Sequence, residues 1–133
     1  MQLFTLSYLS AAQLELSDAD IAALANRSQV RNRNLDITGL LLFDGGYFMQ
    51  TLEGPRDAVA EVFRDILKDP RHSAISPFAV KFISDRKFPT WAMQLVPRDL
   101  TLEIVTALGD IELTPLSIRR LHQRATQALN ELG

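Results

Sequence analysis

Tyr8, Ser28, Asn32 and Gln50 are the residues of this chain whose types and spacing invite a chemical reading. A glutamine carries two N–H donors and two acceptor lone pairs, and leaving such a group unpaired in apolar surroundings costs about 1–3 kcal/mol. Gln50 shares one face of a strand pattern with Phe48 and Leu52, so it is a polar residue in apolar company and needs partners. Tyr8 lies on another strand pattern, and Ser28 and Asn32 lie on the inner stripe of a helix, so all four can converge. Such a group can read the polar edge of a flat, mostly apolar ligand. It can equally be a core network that satisfies itself, and the pattern alone leaves both open.

The elements that must position these residues follow from periodicity. Residues 2–10 are rich in apolar, aromatic and hydroxyl side chains and read as a strand; Ser17 then caps a helix that begins at Asp18. On that helix Ile21, Ala25, Ser28 and Asn32 repeat at steps of four and three, which turns a serine and an asparagine toward the core. Residues 37–44 are apolar on both faces, as in a central strand, and Asp44-Gly45-Gly46 is a hairpin signal into a strand over 47–53. Pro55 opens a second helix with the stripe Val59, Val62, Phe63 and Ile66, ended by a turn at Asp69-Pro70. Residues 78–86 and 91–96 read as two more strands, and helical spacing over about 100–108 and 115–132 marks a tail.

The order β, α, β, β, α, β, β predicts an α+β, ferredoxin-like βαββαββ sheet with two helices on one face, and C-terminal helices packing on the other. A cleft between the two helices is then lined by Ser28, Asn32 and the second helix's stripe, Ile66 included.

Bulk properties bound the function without choosing it. The 133 residues suit one domain, with 47% hydrophobic and 23% charged residues, the balance of an ordinary globular protein. A formal charge of -2 leaves no electrostatic footprint for nucleic acid. The absence of cysteine excludes disulfides and thiolate metal sites and allows a reducing cytoplasm, where the chain is expected to reside; no metal is expected. The first residues have no basic stretch of a signal peptide, and no apolar run approaches the about 20 residues that span a bilayer.

Six ordered segments carry a resemblance to the BLUF family, whose members bind flavin between two helices and respond to blue light. They are Ser7-Tyr8, residues 28–32 (SQVRN), residues 36–45 (DITGLLLFDG), residues 48–55 (FMQTLEGP), residues 69–72 (DPRH) and residues 86–93 (RKFPTWAM). The likeness covers about residues 2–97, so 1–97 is expected to form the flavin-binding core and 98–133 a C-terminal helical output segment.

The resemblance implies roles residue by residue. Tyr8 is similar to the family's tyrosine that donates an electron and a proton to photoexcited flavin, and Gln50 to the amide that bridges this phenol to the flavin and rearranges its hydrogen bonds. The rearrangement implies a slightly red-shifted signalling state with no covalent bond. Asn32 resembles the residue holding the pyrimidine edge, Ser28 one that tunes the glutamine network, and Arg71-His72 a pair near the ribityl and phosphate end. Trp91 and Met93 match a pair of which one approaches the glutamine; without the resemblance they read as core packing, and Arg71 as a solvated turn. FAD is the implied cofactor, with FMN or riboflavin possible. Output is expected to pass to a downstream protein or through homo-oligomerisation, with no nucleic acid or membrane partner.

Two departures stand out. Arg31 replaces an asparagine or histidine beside the flavin-contacting asparagine, a change expected to alter ring-edge or phosphate contacts. Asp36 replaces the glycine usual before Ile-Thr-Gly, and aspartate tolerates the left-handed conformation that glycine favours there. Competing readings are an acylphosphate hydrolase on the same scaffold, against which no nucleophile–base pair or Gly-rich phosphate loop is found, and a colourless interaction module that has lost flavin.

Overall fold

The structure is a computed structural model, and it describes residues 2–13, 15–43, 45–87, 92–96 and 127. Its elements are β1 (Leu3–Ala12), α1 (Asp18–Asn34), β2 (Thr38–Phe43), β3 (Tyr47–Pro55), α2 (Arg56–Lys68), β4 (His72–Ile83) and β5 (Gln94–Leu95). They form one five-stranded sheet in the order β4-β1-β3-β2-β5, antiparallel except for the β2–β5 pair. The α+β, ferredoxin-like arrangement expected from the sequence is therefore present.

Local chemistry accounts for each element. Ser17 closes a capping box with Asp20: its hydroxyl accepts from the Asp20 N–H, and the Asp20 carboxylate accepts from the Ser17 N–H. The inner stripe of α1 is Ile21, Ala25, Ser28 and Asn32, all buried. On α2 the buried residues are Val59, Val62 and Ile66, with Phe63 half-buried against the core; Pro55 stands at the N-cap, one position before the first helical residue. One apolar cluster joins Tyr8 of β1, Leu41 of β2, Phe48 and Leu52 of β3, Ile21 of α1 and Val59, Val62 and Ile66 of α2, which places both helices on the same face of the sheet. The opposite face of the central strands is also buried, at Leu40, Leu42, Met49, Thr51 and Glu53.

Two strands differ from their sequence reading. The strand read over 78–86 begins six residues earlier, at His72, and ends at Ile83 before bends at Ser84 and Asp85. Its first half hid from pattern analysis because it contains Pro77 and lacks alternation. At the edge of a sheet a residue without an N–H is tolerated, and two register shifts against β1 absorb the irregularity. Ala74 and Ala79, both at φ 51°, sit at those shifts. The strand read over 91–96 is confined, among the described residues, to Gln94–Leu95; Ala92 and Met93 form a bend before it. Alternation along a strand therefore does not determine where Met93 points. Trp91 and the tail helices read over 100–108 and 115–132 lie outside the described residues, Gln127 excepted. Asp36 has φ 57°, the left-handed conformation anticipated for an aspartate in the glycine position.

Candidate functional site

Antiparallel pairing of β1 with β3 sets Tyr8 directly opposite Gln50, so two polar side chains meet on the helix-covered face of the two central strands. The Tyr8 hydroxyl donates to Gln50 Oε1 at 2.5 Å, with Tyr8 3% and Gln50 4% exposed. Burial holds the Tyr8 phenol far above its ordinary pKa; the positive charge of Arg31 works against this and the negative charge of Asp69 adds to it. Phe63 and His72 flank the ring at centroid separations of 6.0 and 5.9 Å. With its oxygen used by Tyr8, the Gln50 amide turns its nitrogen toward Met93 Sδ, 3.5 Å away, a weak acceptor.

Met93 reaches this position because Gly39 leaves it room. A Cβ on Gly39 would stand 3.2 Å from the Met93 methyl and 2.3 Å from Thr51 O, closer than backbone allows. The Met93 side chain is 1% exposed. Its segment is held from α1: Gln29 Nε2 donates to Met93 O at 2.9 Å and Asn32 Nδ2 to Ala92 O at 2.7 Å. Asn32 Oδ1 accepts from Arg31 Nε at 3.3 Å.

Beside the Tyr8–Gln50 pair a cavity of about 480 Å³ opens between the two helices. That size falls in the range of about 300–1,000 Å³ typical of small-molecule sites. Its walls are zoned. Leu24, Leu41, Phe48 and Ile66 supply apolar surface, Tyr8, Gln50 and Ser28 a polar edge, and Arg31, Asp65, Lys68, Asp69 and Arg71 charge. Burial lowers the Arg31 pKa from its ordinary value, partly offset by the negative charge of Asp65.

Seven of the sequence-derived candidates, Tyr8, Ser28, Arg31, Gln50, Ile66, Arg71 and His72, line this cavity together. Asn32 is fully buried, with its amide turned to Ala92, and Met93 lies behind Gln50; neither is on the cavity wall. His72 is locked by two bonds. A carbonyl only accepts, so Nε2 donates to Ile66 O at 3.0 Å, and in the neutral ring Nδ1 accepts from the Ser10 hydroxyl at 2.8 Å. Arg71 is held by Asp69, with Nε 2.9 Å from Oδ1 and a terminal nitrogen 2.6 Å from Oδ2. This pairing keeps the Asp69 carboxyl below, and the Arg71 guanidinium above, their ordinary pKa values. Pattern reading missed Asp69 as this partner, the clamp from Gln29, and the clearance at Gly39. The last was visible as a glycine inside a strand, which often marks close approach.

The cavity's chemistry fits a flavin. A flat tricyclic ring needs apolar walls, and its pyrimidine edge needs side chains that donate and accept. The Ser28 hydroxyl is buried with no hydrogen-bond partner among the described residues, and the Gln50 amide nitrogen has only a thioether, so polar atoms remain available at that edge. The three cations at the rim, Arg31, Lys68 and Arg71, outnumber the two carboxylates of Asp65 and Asp69, which suits a phosphate-bearing tail.

Fold and site together define a flavin-site photosensor architecture. The chain belongs to the BLUF family, sensors of blue-light using FAD, whose profile matches residues 3–94. It is 39% identical over 92 residues to the photoactivated adenylate cyclase subunit beta of Euglena longa, covering 68% of this chain and 11% of that protein. Among solved structures it resembles BlrB, a BLUF protein in its dark state, with a TM-score of 0.85, 39% identity, and coverage of 96% of this chain and 97% of that one. It also resembles Klebsiella pneumoniae BlrP1 with FMN and cyclic diGMP, with a TM-score of 0.70 and 29% identity over 95% of this chain and 35% of that one. The chain thus spans about a tenth of the length of the Euglena relative it matches. The family's domain is a sensor, not itself an enzyme. No described helix is long and apolar enough to cross a membrane.

Proposed function

We propose that this chain senses blue light through a non-covalently held flavin, FAD by the family's description, and passes the signal to a partner polypeptide. The observation that carries the reading is the buried Tyr8–Gln50 hydrogen bond on the wall of a flavin-sized cavity. When bound, flavin supplies blue-light absorption and an excited state able to accept an electron.

The chain's own residues do the rest. Tyr8 is kept protonated by burial, so it releases a proton with an electron instead of standing as a phenolate. Its hydroxyl would hand that proton along the bond to Gln50 and regain a proton and the electron on recombination, leaving the amide with donor and acceptor exchanged within one volume, by rotation or tautomerisation. A changed donor at the cavity's polar edge accounts for a small red shift. Ser28 orients the ring edge, Asn32 supports that edge from behind the cavity wall by holding Ala92 O, Ile66 packs the ring face, and Arg31, Arg71 and His72 serve the ring rim and the ribityl-phosphate end. Met93 feels the new orientation of the Gln50 amide through its sulfur, and with Trp91 relays it along the β5 segment. Residues 98–133, beyond a core of 1–97, carry the output to a downstream protein or to a second copy of the chain in the cytoplasm.

The test is an absorption spectrum of purified protein in darkness, immediately after blue light, and during dark recovery, for the parent and for Tyr8→Phe. A flavin spectrum that moves slightly red and returns, with the shift lost in Tyr8→Phe, is expected. Protein that cannot be loaded with flavin overturns the reading and leaves an interaction module of the same fold.

A further inference from the structure

We infer that Gln29 is a positioning residue for the light response: by holding the Met93 backbone carbonyl it sets where the Met93 sulfur meets Gln50. The inference rests on the photosensor reading above. Gln29 and Asn32 stand three residues apart on α1, so their side chains emerge on adjacent parts of one helix surface. They grip consecutive carbonyls of the same bend, Gln29 that of Met93 at 2.9 Å and Asn32 that of Ala92 at 2.7 Å. A methionine side chain has three rotatable bonds and adapts to almost any gap, so a defined sulfur position needs a defined backbone. The two grips provide it, and the Met93 sulfur then stands 3.5 Å from Gln50 Nε2.

Beyond the bend the chain joins the sheet beside β2, with Gln94 opposite Leu40, Leu95 opposite Leu41, and the Val96 N–H bonded to Leu41 O at 2.9 Å. A reorientation of the Gln50 amide is therefore felt by β5 through a methionine whose backbone α1 holds in the dark arrangement. Gln29 does not line the cavity. Its side chain influences the return to darkness without touching the chromophore or its immediate polar edge.

The experiment compares the parent with Gln29→Met, which keeps length and helix propensity but has no donor, and Gln29→Lys, which restores an N–H donor. Flavin content, dark spectrum, thermal midpoint and dark-recovery rate are measured on the full chain. Expected for Gln29→Met is a dark spectrum and flavin content like the parent's, with recovery slowed about fivefold, the kinetic equivalent of one hydrogen bond of about 1 kcal/mol. Gln29→Lys is expected to recover at close to the parent's rate. Recovery in Gln29→Met that is unchanged or faster, or a Gln29→Lys protein as slow as Gln29→Met, overturns the inference while the parent's photocycle leaves the photosensor reading standing. A parent with no light-induced shift overturns both.

Discussion

Tyr8 and Gln50 act as a pair because, among the described residues, neither has another strong partner on its side of the sheet. The phenol spends its proton on the Gln50 oxygen, and the Gln50 nitrogen is left with a sulfur. Replacing Gln50 with leucine keeps the volume and removes both functions at once. The Tyr8 hydroxyl is then buried without its acceptor, at a cost of about 1–3 kcal/mol. Gln50→Leu is expected to unfold at lower denaturant concentration than the parent and to bind flavin without the reversible red shift; a variant that still shifts would move the switch to another residue. At this scale much of the site was legible beforehand. Helical and strand periodicity alone turned Ser28, Asn32 and Gln50 inward, since these depend only on local geometry, and all three are buried. The commitments of Asn32 and Gln29 were not legible, because their partners lie 60 and 64 residues away in a bend that no local pattern marks. The pairing of Arg71, read as part of a solvated turn without the resemblance, escaped for the opposite reason: the partner, Asp69, was close by, but a turn's geometry decides whether two residues so near one another can pair.

Between elements, the decisive joint is made by Arg86, just past the end of β4. Its guanidinium donates to Asp36 O at 2.8 Å, Thr38 Oγ1 at 2.9 Å and Glu53 O at 3.2 Å, tying together the α1–β2 turn, β2 and β3. The buried Glu53 carboxylate completes the joint, accepting from the Lys87 N–H at 2.8 Å and from the Thr38 hydroxyl at 3.3 Å. The ion pair of Arg86 with Asp36 adds little, since the Asp36 side chain is 69% exposed and water screens it. Arg86→Met keeps the aliphatic stem and removes the donors, leaving two carbonyls and a hydroxyl without this cation. It is expected to cost about 2 kcal/mol in chemical denaturation; a loss within experimental error would show that water replaces the guanidinium without penalty. The element order and helix stripes could be read from sequence because burial on one face imposes a period. The bounds of the bulged edge strand β4 and of the short β5, both read as strands, could not, because edge strands tolerate proline and irregular register, and a parallel pairing across the molecule leaves no local signature.

Across the whole molecule, protonation links the cavity to stability at both ends of the pH scale. Asp69 has its carboxyl pKa lowered in the folded state, chiefly by the hydrogen bond from Arg71, so the unfolded chain binds a proton there first as pH falls. That contribution is complete above the unfolded carboxylate value of about 3.9 and is lost as pH drops through the lower folded value. The Asp69 and Arg71 side chains are 21% and 31% exposed, so solvent screening keeps the effect modest. Tyr8 has the reverse sign. Its folded pKa is raised by burial, so its contribution is full below the unfolded phenol value of about 10 and is lost as pH climbs beyond it, where the unfolded chain sheds a proton that the folded protein keeps. Urea midpoints measured from about pH 3 to about pH 11 are therefore expected to form a plateau with two shoulders. Asp69→Asn should reduce the acid shoulder and only slightly ease the alkaline one, to which its charge on Tyr8 contributes, while Tyr8→Phe should reduce the alkaline shoulder alone, because the two groups titrate some six units apart in the unfolded chain. A Tyr8→Phe protein that loses stability above about pH 10 as steeply as the parent would mean that the phenol beside Gln50 is less sheltered than its 3% exposure implies.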